Sequence, residues 1–162
     1  RATTLTRAIR YNKHFGRSLH TRNDVKNALE EFFSQTADQS ADDEKPVEKN
    51  YKIRSERRKG RGGLRNRVII EMRRQIKVLS AWFKDNKRFA FYSSSLLFVY
   101  EGDENAEATR DNAKLRMIDF AHVLRSDGAT RDTSYLDGLY GLLRIIDEIL
   151  SEQEASGKLR ED

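Results

Sequence analysis

Asp119 stands between Ile118 and Phe120 and three residues ahead of His122. An acid bracketed by two large apolar side chains is expected to be poorly solvated, and so to need a metal ion, a cation or a hydrogen-bond donor. Two readings of it are open. It can be a structural acid that caps a turn or pairs with Arg116 or Arg125, or it can be a magnesium ligand. Phosphoryl transfer from ATP needs a hard oxygen ligand to hold the metal across the β- and γ-phosphates, and a carboxylate at a strand end suits that task. Ser94 and Ser95 belong to a serine triplet, Ser93 to Ser95. Their hydroxyls can bond to the local backbone, or one can face nucleotide phosphates or a metal's water shell. Alternation along a strand sets Ser93 and Ser95 on one face and Ser94 on the other, so at most one face serves a site, and the sequence does not choose between them. A lone histidine such as His122 is usually a surface or packing residue.

The elements that position these residues follow from periodicity. FAFYSSSLLFVYEG, from Phe89, is dense in aromatic and β-branched residues without proline, and reads as an extended strand ended by Glu101-Gly102-Asp103. KLRMIDF then reads as a second strand, with Leu115, Met117 and Asp119 on one side and Arg116, Ile118 and Phe120 on the other. The pair is expected to form a hairpin with Asp119 at the end of its second strand.

Three helices surround it. The first begins at Thr21-Arg22-Asn23-Asp24, with an acid near the positive end of the dipole, and shows Val25, Ala28, Leu29, Phe32 and Phe33 on one face. A second runs from about Leu64 to Asp85 on the stripe Leu64, Val68, Met72, Ile76, Leu79 and Phe83, with Trp82 either extending the buried face or capping its edge. The third is capped by Thr133 or Ser134, buries Leu136, Leu139, Leu142, Leu143, Ile146, Ile149 and Leu150, and stops at Gly157. Between them, Tyr11 to Leu19 reads as a turn through Gly16, and His122 to Thr133 as a polar loop turning at Asp127-Gly128. Arg1 to Arg10 reads as a strand severed from its partners. The fold class is α+β, a small antiparallel sheet packed with about three helices.

Composition narrows the function classes. A chain of 162 residues is one domain or one large lobe. No apolar run is long enough to span a membrane, and the start is unlike a signal peptide. Without cysteine, disulfides and thiolate metal sites are excluded within the chain. With 35% charged residues and a mean hydropathy of -0.82, it carries a long polar segment. Residues 34–63 form the expected flexible acidic and basic insertion, in which Asp42, Asp43 and Glu44 are not held in register. The basic segment 52–67, with Gly60, Gly62 and Gly63, can be a solvated loop, an import signal, or a site for polyphosphate or RNA. It lacks the interleaved aromatics that stack on bases, which argues against nucleic acid. No H-E-x-x-H, G-x-S-x-G or P-loop pattern competes.

Four blocks in order resemble one family. SSSLLFVYEG followed by MIDFAH resembles the C-terminal lobe of the inositol polyphosphate kinases, whose members carry S-S-L-L and then I-D-F. Ser94, Ser95, Leu96 and Leu97 match the first motif, and Ile118, Asp119 and Phe120 the second. YNKHFGRSL, from Tyr11, is similar to the family's K-x-F/Y-G-R segment, and YLDGLYGLLRII, from Tyr135, to its Y-L-x-G-L helix start. The family's P-x-x-x-D-x-K-x-G signature does not occur, and the single proline, Pro46, lies in KPVEKN. The chain therefore reads as the C-terminal part of such a kinase, with the N-terminal lobe outside it, and is expected to be inactive alone.

The resemblance implies ATP and Mg2+ as cofactors, with Asp119 on the metal–nucleotide complex and Ser94 or Ser95 near the nucleotide phosphates. It implies an inositol phosphate as substrate, contacted by His122, and residence in the nucleus or cytoplasm. The I-D-F-A-H string favours the multikinases and hexakisphosphate kinases over the trisphosphate 3-kinases. FAFYSSSLLFVYEG is most like the hexakisphosphate kinases, whereas AWF and DFAHVL are like the multikinases, which short connections place slightly ahead. The competing expectation is a non-catalytic module that binds a partner through residues 52–67.

Overall fold

A computed structural model describes residues 13–34, 63–102, 112–125, 128 and 131–159. Much of the 34–63 insertion, the basic segment up to residue 62, and Arg1 to Arg10 lie outside the described residues. The chain divides into two compact units, Arg1–Leu64 and Arg65–Asp162.

In the first unit, α1 spans Lys13–Arg17 and α2 spans Arg22–Phe32. A short helix thus replaces the turn expected around Gly16. The start of α2 follows the sequence closely. The Thr21 hydroxyl accepts from the Asp24 amide at 3.1 Å, and the Asp24 carboxylate accepts from the Thr21 amide at 2.8 Å, a reciprocal capping box. Phe33, at the C-cap, is fully buried, and Ser34 forms a lone bridge with Leu64.

The capping box makes a pH prediction. The Thr21 amide, with help from the Thr21 hydroxyl, holds the Asp24 carboxyl below its ordinary value of 3.8. A carboxyl depressed by folding stabilises the folded state above its unfolded pKa, and that contribution is lost as pH falls through the folded pKa. The protection of the amides at the start of α2, relative to their intrinsic exchange rates, is therefore expected to fall below about pH 4, and Asp24→Asn is expected to abolish that acid step. An unchanged step in the variant assigns it to another group.

In the second unit, α3 spans Asn66–Asp85 and α4 spans Thr133–Ala155, and the two pack against each other. Val68, Met72, Ile76 and Phe83 line the buried side of α3 as the spacing predicts, with Ile69 added and Leu79 only half-buried. Leu136, Leu139, Ile146 and Ile149 of α4 are buried with Ile145, while Leu142, Leu143 and Leu150 are half-buried. The N-cap of α4 is Asp132, not Thr133 or Ser134. Its carboxylate accepts from the Tyr135 amide at 3.0 Å, and its second oxygen accepts from the Phe91 amide at 2.7 Å. One acid therefore ends a helix and ties a strand to it, which a hydroxyl could not do as well at two donors.

Four strands complete the α+β fold: β1 (Phe89–Tyr92), β2 (Ser95–Tyr100), β3 (Ala113–Ile118) and β4 (His122–Arg125). They form two two-stranded antiparallel sheets, β1 with β4 and β2 with β3. The expected hairpin exists, but it is interrupted, and His122 to Arg125 continue it as a strand instead of opening the polar loop. Ala113 and Leu115 of β3 are buried against α3, and Met117 follows on that face half-buried.

The free edge of β3 is sealed by a side chain. The Gln75 amide nitrogen donates to the Ala113 carbonyl at 2.7 Å, and its oxygen accepts from the Leu115 amide at 2.9 Å, as a neighbouring strand would. Gln75→Leu strands both backbone groups. It is expected to cost on the order of 1–3 kcal/mol in urea unfolding, and no loss would show that water replaces the amide.

Candidate active site

The break in the hairpin gathers Ser94, Ser95, Asp119 and His122. Tyr92 pairs with His122 on one side of the break, and Ser95 pairs with Ile118 on the other. Ser93 and Ser94 lie between these pairs on the first arm, and Asp119, Phe120 and Ala121 on the second, so the second arm carries one extra residue. Both arms pass through the left-handed region there, at Ser93 with φ 58 and Asp119 with φ 62. That conformation costs a non-glycine residue about 1–2 kcal/mol, and aspartate tolerates it better than most. An irregularity of this kind re-aims side chains that a regular strand would hold on alternating faces.

Asp119 leaves the strand at this point and is exposed, with Ile118 36% and Phe120 54% exposed beside it. The expectation of a poorly solvated acid is thus corrected, because the left-handed turn carries Asp119 off the sheet before its apolar neighbours can enclose it. Neither Arg116 nor Arg125 pairs with it. Among the described residues the carboxylate makes no hydrogen bond or ion pair, while its backbone carbonyl accepts from the Ser94 hydroxyl at 2.9 Å. Arg116 donates instead to the Leu115 carbonyl at 2.8 Å. Ser95 is exposed on the outer side of β2, alternating with half-buried Leu96. His122 is exposed at the first position of β4.

An aromatic cluster supports the break from below. Phe83, fully buried, stacks on Tyr135 with centroids 4.4 Å apart and planes within 5°. Phe91 meets Phe83 edge-on at 5.4 Å and Trp82 at 5.9 Å, and Phe120 meets Phe91 at 6.1 Å. Trp82 therefore caps the edge of the core. The residue after Asp119, Phe120, is thus seated on the β1 ring of Phe91, which itself packs on rings of α3 and α4. Burial pushes the Tyr135 phenol above its usual range, with Asp132 acting in the same direction.

The geometry suits one kind of cation site. Among the described residues, no three His, Asp or Glu side chains cluster closely enough to hold a metal ion. Mg2+ commonly takes one or two protein carboxylates and completes its shell with substrate phosphates and water. A single accessible carboxylate with no partner among the described residues fits that pattern. Sequence reasoning missed Ser94 as a bond to Asp119 and Asp132 as a cap, although the serine triplet inside a strand of good β-formers hinted at the interruption.

A family model described as inositol polyphosphate kinase matches residues 3–147. The chain belongs to the inositol polyphosphate kinase family. Among its relatives is inositol polyphosphate multikinase IPK2 of Oryza sativa subsp. indica, 37% identical over 84 residues, which cover 48% of this chain and 28% of that protein. The inositol polyphosphate multikinase of Homo sapiens is 29% identical over 126 residues, covering 78% of this chain and 23% of that protein. Inositol hexakisphosphate kinase 3 of Homo sapiens is 28% identical over 115 residues, covering 53% and 28%.

The chain thus spans about a quarter of the length of the curated relatives it matches. A solved structure from "Structural Studies and Protein Engineering of Inositol Phosphate Multikinase" shares the fold, with a TM-score of 0.57 and 23% identity over 79% of this chain and 48% of that one. For this member of the inositol polyphosphate kinase family, the α+β class is accordingly that of the solved structure. No helix among the described residues is long and apolar enough to cross a membrane.

Proposed function

We propose that the gene product containing this chain is an ATP-dependent inositol polyphosphate kinase of multikinase type. The oxygen of an inositol phosphate hydroxyl forms a bond to the γ-phosphorus of ATP as the bond to the β–γ bridging oxygen breaks. The hydroxyl proton is released and ADP leaves. If the enzyme is of hexakisphosphate type, the attacking oxygen belongs to an existing phosphate.

The observation that carries this reading is the shared break in the hairpin, which presents the Asp119 carboxylate, without a partner among the described residues, beside half-buried Ser94 and exposed Ser95 and His122. Mg2+, when bound, would neutralise charge on the transferring phosphoryl group, and Asp119 would hold it. The Ser95 hydroxyl, exposed on β2, is the serine better placed to donate to a phosphate oxygen, because that of Ser94 is already bonded to Asp119. His122 would orient the inositol phosphate.

The test is a substrate panel. The full-length gene product is incubated with ATP, magnesium and a panel of inositol phosphates up to the fully phosphorylated ring, and the products are resolved by phosphate number. Phosphorylation of the less phosphorylated members supports the multikinase reading, and a diphosphorylated product made only from the fully phosphorylated ring replaces it with the other branch. No turnover of any member contradicts the kinase reading.

A further inference from the structure

We infer that Ser94 is a positioning residue for Asp119, holding the metal-binding carboxylate in place through the backbone and not by touching the nucleotide. The inference rests on the reading of Asp119 given above and deepens it. Three observations converge on it. The Ser94 hydroxyl donates to the Asp119 carbonyl at 2.9 Å across the break. Asp119 itself has a left-handed backbone, φ 62, at the position where the second arm carries its extra residue. Its carboxylate has no hydrogen-bond or ion-pair partner among the described residues, so nothing on the side chain itself fixes its aim.

The physical consequence follows from strand geometry. An extended residue at 119 would continue the alternation of Leu115 and Met117, which face the core side of β3. The left-handed turn removes Asp119 from that series and leaves it exposed. A bond to the Asp119 carbonyl stabilises this turn, because the carbonyl has no strand partner at the break and needs a donor. Phe120 supplies the second anchor by packing on Phe91. The carboxylate is thus gripped from its backbone on both sides while its oxygens stay available.

Loss of groups that orient a metal ligand commonly weakens metal binding about ten- to a hundredfold. The experiment measures Mn2+ binding by electron paramagnetic resonance, with a non-hydrolysable ATP analogue, to the full-length gene product carrying Ser94→Ala, Ser94→Thr or Asp119→Asn. Ser94→Ala is expected to weaken Mn2+ binding by about that factor, with kcat at saturating metal largely kept, and Ser94→Thr, which retains the hydroxyl, is expected to restore it. If Ser94→Ala binds Mn2+ like the wild type while Asp119→Asn does not, the inference is overturned and the metal role of Asp119 stands. If Asp119→Asn also binds like the wild type, both fail. A second readout needs no metal. In the metal-free protein, the amide resonances of Asp119 and Phe120 are expected to move in Ser94→Ala and to return in Ser94→Thr, and unmoved resonances overturn the inference.

Discussion

Asp119→Asn in the full-length gene product is expected to lower kcat/KM for phosphoryl transfer on the order of a hundred- to a thousandfold, the scale on which loss of one preorganised charge stabiliser is felt. The substitution keeps the size and shape of the side chain and removes its charge. It also leaves the backbone carbonyl that accepts from Ser94 at 2.9 Å, so the turn at the break survives. Asp119 is exposed and its carboxylate bonds to no other group among the described residues, so the substitution is expected to leave the fold intact. Steady-state kinetics with ATP and the substrate found in the panel provide the check, alongside circular dichroism. A variant with wild-type kcat/KM would return Asp119 to the structural reading, as an acid at a turn.

Phe83→Ala is expected to destabilise the protein by about 3–5 kcal/mol, the usual range for emptying a fully buried aromatic site. Phe83 has no exposed surface and touches rings from three directions: Tyr135 stacked at 4.4 Å, Trp82 edge-on at 5.0 Å and Phe91 edge-on at 5.4 Å. Those neighbours belong to α3, β1 and α4, which cannot close together without moving the Asp132 caps on β1 and α4. The cavity therefore persists, and its cost adds to the lost burial. Urea unfolding reads the change as a lower midpoint with an unchanged slope. Phe83→Leu fills most of the space and is expected to lose about half as much. A near-neutral Phe83→Ala would mean that the aromatic cluster does not hold the hairpin to the helices.

Helix positions were legible because their signals are local. The 3.6-residue stripe of Val68, Met72, Ile76 and Phe83 and the Thr21/Asp24 capping pattern each specify a face or an end without reference to the rest of the chain. The sheets were less legible. A continuous run such as FAFYSSSLLFVY reads as one strand, because the residues that interrupt it, Ser93 and Ser94, are tolerated in strands as well as in turns. What breaks it is the partner arm, with its extra residue and its left-handed aspartate, and pairing across more than twenty residues leaves no periodic trace in either arm alone.

The same holds for solvation of the site. Ile118 and Phe120 beside Asp119 suggested an enclosed acid, but the left-handed turn set its exposure. Asp132, Thr133 and Ser134 are all good N-cap types in a row, and the choice fell on Asp132 because only a two-oxygen acceptor also reaches the Phe91 amide. The resemblance to the inositol polyphosphate kinases was readable because it rests on short exact strings, S-S-L-L and I-D-F, whose order survives insertions.

If the Asp119 carboxylate ligates the metal that accompanies ATP, as proposed, exchanging its oxygen for sulfur must change the metal preference. In Asp119→Cys a hard oxygen ligand is replaced by a soft sulfur one at a site with no cysteine elsewhere in the chain. Phosphoryl transfer by this variant is measured with magnesium, manganese and cadmium in turn. Near-complete loss of activity with magnesium and partial recovery with cadmium are expected, a recovery absent from Asp119→Ala. Full activity of Asp119→Cys with magnesium, or the same loss with every metal, would contradict that role.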